Sequence, residues 1–267
     1  MKKYLSFFRL RFTMGLQYRA AALAGVVTQF AWGFMEIMIF RAFYKADPAA
    51  FPMSMSATAS YIWLQQAFFA FFTAWMMDNE IFDSIVDGNI AYELCRPVDL
   101  YNMWFIRNIA NRIARAVLRC FPILVVAIVV PQPYGLAAPA SKGHFVLFLL
   151  TLILGLTMTV SFCMLVYVLA FFTISPQGLR IAFTSSVEFF AGAVIPLPFL
   201  PEKIRTIMEL LPFASMQNVP LRIYSGSMDG EGMKNAVLLQ LFWVIIVTAM
   251  GRCLCRLAQR RVTVQGG

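Results

Sequence analysis

A single histidine, His144, stands among 267 residues. One imidazole cannot assemble a zinc site, and no His-Glu-x-x-His run occurs, so metal-dependent hydrolysis has no ligand set here. No Gly-x-Ser-x-Gly turn is present. Serines are plentiful, but no lysine falls inside a long apolar run, which disfavours intramembrane proteolysis. The Gly-x-x-x-x-Gly-Lys-Ser/Thr phosphate loop is also missing, so the chain is not expected to hydrolyse ATP itself. Five cysteines, Cys95, Cys120, Cys163, Cys253 and Cys255, make no metal-binding spacing and no disulfide framework. No repeat of 20–50 residues is visible. Catalytic and metal-ligating residues are accordingly expected to be none.

Charge is scarce as well. Charged residues make up 13% of the chain, against about a quarter in a soluble domain. In their place, 60% of residues are hydrophobic and the mean hydropathy is +0.72. A soluble protein of this composition could not cover its surface. The apolar residues gather in six runs, 20–44, 57–77, 116–130, 145–172, 179–200 and 236–254. A membrane-crossing helix needs about 20 apolar residues, and all but the third run reach that comfortably. The first run is too long for a secretory signal core and carries Glu36, which reads as a retained span. The expectation is an all-α membrane protein with six transmembrane helices in one domain, 1–267.

The net charge of +9 does not form a patch for nucleic acid, because the basic residues flank the runs. It sets topology instead. An inside N-terminus gives the cytoplasm Lys2, Lys3, Arg9, Arg11 and Arg19, then the group Arg96–Arg119, Arg180, and Arg252, Arg256, Arg260 and Arg261. The outside receives the smaller share. Both termini are expected in the cytoplasm.

Three segments between the runs have character of their own. Residues 1–19 space Leu5, Phe8, Phe12 and Leu16 at helical period among basic residues, the pattern of an interfacial helix on the inner leaflet. Residues 78–115 begin with Asp78, Glu80, Asp83 and Asp87, turn at Asp87-Gly88-Asn89 and stop at Arg96-Pro97. A basic amphipathic helix with Arg107, Arg112, Arg115 and Arg119 then leads into the third run. Residues 201–226, after the proline-rich end of the fifth run, read as an outer re-entrant hairpin.

Glu36 and Glu188 are carboxylates at bilayer depth, where a charge is costly unless paired or wet, so each is a candidate for the solute path. Arg41 is the expected ion-pair partner of Glu36; a polar cavity or a neighbouring subunit is expected beside Glu188. Gln29, Gln65 and Gln66 are candidates for interhelical hydrogen bonds, the first two also for the path.

The phrases 61–67 (YIWLQQA), 88–97 (GNIAYELCRP), 192–201 (GAVIPLPFLP) and 211–214 (LPFA), together with the order of segments, resemble the ABC-2 type permeases, in particular a bacterial branch associated with export of drug-like compounds. The resemblance covers almost the whole chain. It implies the membrane subunit of an exporter in the bacterial cytoplasmic membrane, paired with a second permease protomer and two ATPase subunits that carry ATP and Mg, while this chain binds no cofactor. It also implies a coupling helix within 85–99 that docks on the ATPase, with Asp87, Glu93, Arg96 and Pro97 as its key positions. The cargo expected for spans with so few polar side chains is hydrophobic or amphipathic: a drug, a peptide or a lipid. On the residues alone two rivals stay open. One is a secondary transporter using a proton or sodium site at Glu188, although no repeated broken-helix pair is visible. The other is an anchor or sensor subunit that transports nothing.

Overall fold

The computed structural model describes residues 2–173, 175–228 and 230–260, and every described element is helical. Arg261, one of the charges assigned to the inner side, lies outside them. In chain order the helices are α1 (Lys2–Gly15), α2 (Arg19–Ala46), α3 (Met55–Ala67), α4 (Phe69–Phe72), α5 (Asn79–Val86), α6 (Ile90–Leu94), α7 (Leu100–Val129), α8 (Lys142–Ala170), α9 (Pro176–Phe190), α10 (Glu202–Leu210), α11 (Asn218–Tyr224) and α12 (Gly230–Gln259). Two short 3-10 turns, Leu197–Phe199 and Pro212–Ser215, flank α10.

Helix α8 is the centre of the packing. Met158, Val160, Cys163, Met164, Val166, Tyr167 and Val168 are buried along it, and α12, α11, α7 and α9 surround it. Gly155 is small for a reason: a Cβ there would lie 2.2 Å from the carbonyl oxygen of Met216. Helix α2 packs its Val26, Gln29, Gly33, Ile37 and Phe40 face on α3 and α7, and presents Leu23, Val27, Trp32 and Phe43 outward. Helices α2, α8 and α12 are long and apolar enough to cross a membrane.

The other three expected spans depart from simple helices. The run 57–77 stops at Ala67, resumes for the single turn of α4, and is non-helical from Thr73 to Asp78, with a bend at Ala74 and Trp75. Neither glycine nor proline causes this. The guanidinium of Arg112 on α7 lies among the freed carbonyls and donates to Ala70 O at 2.8 Å, Thr73 O at 2.7 Å and Met76 O at 3.4 Å. Backbone oxygens away from water need such a donor. The run 179–200 is helical only to Phe190, because Gly192 adopts φ +78° and Pro196 and Pro198 follow. The basic helix and the third run are one continuous helix, α7, with Pro122 inside it.

One further expectation changes. Arg41 is not the partner of Glu36: its guanidinium lies 5.3 Å from the centre of the Tyr134 ring, and Glu36 accepts from Gln66 Nε2 at 3.4 Å. On α1, Tyr4, Phe7, Arg11 and Gly15 turn toward α7 and its start, with Gly15 tight against Ala114, so Leu5 of the expected stripe is left 71% exposed.

Candidate functional site: the elbow between α4 and α7

The elbow is built on one mostly enclosed carboxylate. Asp78 ends the non-helical stretch after α4 and caps α5, accepting the Glu80 N–H at 3.1 Å. An acidic cap suits the positive end of a helix. Its own N–H donates to Tyr167 Oη of α8 at 2.6 Å. Arg107 reaches across from α7 and grips it with both faces of the fork, Nε to Oδ2 at 2.5 Å and Nη2 to Oδ1 at 2.8 Å. The two side chains are only 6% and 12% exposed. Arg107 also holds Glu80, and Asn111 adds a weak bond to Asp78 at 3.4 Å. Such a forked pair fixes orientation as well as distance.

Helix α1 closes the other side. Arg11 stands 3.8 Å from Glu80; burial and then the charge of Arg107 lower its guanidinium from the usual value, while Glu80 and Asp78 oppose the shift. Lys3 Nζ donates to Pro97 O at 2.9 Å, and the Asp99 N–H donates to Tyr4 Oη at 3.3 Å. Asp99 caps α7 by accepting the Asn102 N–H at 2.8 Å. The N-terminal helix is therefore stitched to both legs of the elbow.

The expected coupling residues occupy distinct places. Asp87 is the exposed C-cap of α5, followed by Gly88 at φ +75°, a backbone shape that favours glycine. Glu93 turns inward: its Oε2 accepts from Trp104 Nε1 at 2.6 Å, which ties α6 to α7. Trp104 itself is fully buried against Tyr167 and Phe171. Arg96 and Pro97 are exposed at the exit from α6. Around them Val86 and Tyr92 stand out, Tyr92 at 74% exposed. The result is a crest of mixed apolar and charged side chains on a rigid base.

The intramembrane candidates divide into two groups on α3. Gln66 faces α2 and meets Glu36; Gln29, buried on the same α2 face, has an Oε1 that accepts nothing. Gln65 faces the other way and donates to Ala193 O, beyond the end of α9, at 3.1 Å. Glu188 of α9 accepts from Thr73 Oγ1, beyond α4, at 3.0 Å. Gln217 adds a donor to Ala191 O at 3.2 Å. The interrupted second and fifth runs thus touch each other. Glu36 and Glu188 do not share a site.

Sequence reasoning missed Arg107 and Arg112 as structural anchors and took them for a basic helix face. A signal was available for Arg107. It lies three residues after Trp104 and three before Ala110, inside the apolar stripe of α7, where a charge implies a buried partner.

Comparison with curated proteins finds no match to this chain. A family model described as ABC-2 family transporter protein matches residues 30–266. That span takes in most of α2, the interrupted second run, the whole elbow and the α10–α11 hairpin. With so much of its length covered, the chain belongs to the ABC-2 family of transporter membrane proteins.

Proposed function

We propose that this chain is the permease subunit of an ATP-driven exporter in the bacterial cytoplasmic membrane. Six passes, three of them α2, α8 and α12, form one membrane domain with both termini in the cytoplasm. Two protomers, identical or related, enclose a cleft. Separate ATPase subunits bind ATP and Mg and dock on the elbow, and their closure tilts the elbow so that the cleft opens outward. The cargo is hydrophobic or amphipathic, in keeping with spans whose polar side chains are few, Gln29, Glu36, Gln65, Gln66 and Glu188 among them.

The observation that carries this reading is the exposed crest from Val86 to Pro97 on a base locked by Asp78–Arg107 and Glu93–Trp104. A mere connector needs no such base. Force applied at Tyr92 or Arg96 passes through α6 and Trp104 into α7 without being absorbed by a loose loop. Asp87 and Arg96 are the docking charges; Glu93 positions α6.

The test uses a thiol that the elbow already presents. Cys95 is exposed on the crest, whereas Cys120, Cys163 and Cys255 are buried. With Cys253→Ser, a membrane-impermeant maleimide is expected to label Cys95 from the cytoplasmic face only, and bound ATPase is expected to protect it. Labelling from outside intact cells ends the proposal. Arg96→Ala and Glu93→Ala are expected to separate ATP hydrolysis from export in the reconstituted complex while the permease still folds and inserts.

The meeting of two interrupted runs favours one competing reading, an ion-coupled carrier. Arg112 argues against it. The carbonyls of Ala70, Thr73 and Met76, which could hold sodium, are taken by a guanidinium. Uptake or efflux driven by a pH gradient without any ATPase would reinstate the carrier.

A further inference from the structure

A cavity of about 500 Å³ lies between the α10–α11 hairpin and the first turns of α12. That is within the roughly 300–1,000 Å³ range of small-molecule sites. Its walls differ in chemistry. Leu210, Val219, Ala236 and Leu239 supply an apolar side. Among the described residues the opposite side holds one full positive and one full negative charge: Arg222 Nη1 and Glu209 Oε1 are 2.5 Å apart. The pair is not saturated. Arg222 Nη2 makes only a long bond to Ser227 O at 3.4 Å, and the two side chains keep 15% and 33% of their surface exposed, whereas Arg222 Nε is enclosed away from the cavity. Asn218, 1% exposed in the same lining, has an Oδ1 that accepts nothing.

The surroundings narrow the occupant. On the outer surfaces of the flanking helices, Ile204 and Ile207 of α10 and Leu238 and Phe242 of α12 are exposed, as expected of helices that face lipid. A purely apolar guest would press hydrocarbon against the exposed part of the Arg222–Glu209 pair. An anion alone would face Glu209, and a cation alone would face Arg222. A head group with both charges and an attached acyl chain satisfies every wall at once.

We propose that this cavity is a binding site for a zwitterionic phospholipid of the surrounding bilayer. Its phosphodiester lies against Arg222, its ammonium against Glu209, and its glycerol and upper acyl chain against Leu210, Ala236 and Leu239. The site is separate from the elbow and does not depend on which side of the membrane the elbow occupies. Occupied, it wedges the hairpin against α12.

The test is photolabelling of the full chain in nanodiscs. Phosphatidylethanolamine and phosphatidylglycerol, each with a diazirine near the top of one acyl chain, are the probes, and labelled peptides are mapped by mass spectrometry. Labelling of 206–239 by the ethanolamine lipid is expected to exceed that by the glycerol lipid about tenfold, a difference equal to about 1.4 kcal/mol. Glu209→Gln is expected to bring the two probes level. Ala236→Trp, which fills the cavity and keeps the ion pair, is expected to abolish labelling there without changing the thermal midpoint of the protein. Equal labelling of the native chain by both lipids overturns the proposal. So does labelling that survives Ala236→Trp. Labelling that disappears when a partner ATPase turns over marks transported cargo, and overturns a resident lipid.

Discussion

Two hairpins of short helices sit at opposite ends of α8, and they are held by opposite means. The α5–α6 elbow packs at Tyr167, and the α10–α11 hairpin packs at Phe148, where the Tyr224 ring lies 5.1 Å away. The two contact points are about 28 Å apart along the helix at 1.5 Å per residue, close to the roughly 30 Å of a hydrocarbon core. The elbow is fixed by full charges in forked geometry, with Asp78, Glu80, Arg107 and Arg11 joined across three helices. The hairpin is fixed by neutral amides: Gln240 donates to Thr151 O and Ser215 O, and Gln217 to Ala191 O. Its one ion pair borders a cavity. Charges in a dry fork admit a single arrangement and fail badly when halved. Amide-to-carbonyl bonds are weaker singly and tolerate adjustment. The elbow is therefore the more rigidly held of the two, and the hairpin the more adaptable.

The largest test of that contrast is Arg107→Ala. It leaves the Asp78 carboxylate, 12% exposed, without its counter-charge, and a broken buried pair costs about 3–5 kcal/mol. The denaturant midpoint is expected to fall accordingly. Arg107→Met with Asp78→Asn is expected to lie nearer the native value than the sum of the single effects, since the two sites share one interaction. Simple additivity would show that the elbow is not held by this pair. Next comes Arg112→Met. It removes donors from Ala70 O and Thr73 O, and unsatisfied buried carbonyls cost about 1–3 kcal/mol each. A loss of about 3 kcal/mol is expected, with faster amide exchange across 73–78. An unchanged exchange pattern would mean that the interruption after α4 is encoded locally.

That last point marks where the sequence was legible and where it was not. Helical class, membrane residence and the turn at Asp87-Gly88 follow from composition, run length and glycine chemistry, all of them local. The end of α9 at Gly192 and the prolines was partly legible for the same reason. The interruption after Ala67 was not: 57–77 contains no breaking residue, and what stabilises the break is Arg112, about 40 positions away along the chain. The same holds for Glu93. The family resemblance implied a docking charge there, but only the fold brings Trp104 Nε1 to it. Glu36 and Arg41 were paired on distance along one helix, whereas Gln66 and Tyr134 come from elsewhere. Long-range polar partners are what a single sequence conceals.

A smaller effect is expected in the hairpin from Gln240→Leu. The Thr151 oxygen lies within α8, whose hydrogen-bond ladder continues to engage it, so Ser215 O is the main group stranded. The expected loss is about 1–2 kcal/mol, below that of Arg107→Ala. A loss as large as that of Arg107→Ala would erase the distinction between a charged, rigid end and a neutral, adaptable one.

The smallest effect on stability, and the sharpest on the comparison, is expected from Tyr92→Ala. The ring is 74% exposed and makes no contact that holds α6 in place, so stability is expected to stay within about 0.5 kcal/mol of native. Its value lies in docking. An exposed tyrosine beside Val86 and Arg96, on a base that cannot give way, has the character of an interface anchor, and truncating such an anchor costs about 2 kcal/mol or more of binding. Affinity for the proposed ATPase partner, measured on immobilised complex, is expected to fall about 30-fold. Ile207→Ala is the matched control at the other end of α8: 63% exposed and apolar, it is expected to leave that affinity unchanged. If Ile207→Ala weakens the ATPase and Tyr92→Ala does not, the docking surface belongs to the hairpin, and the rigid elbow needs another explanation.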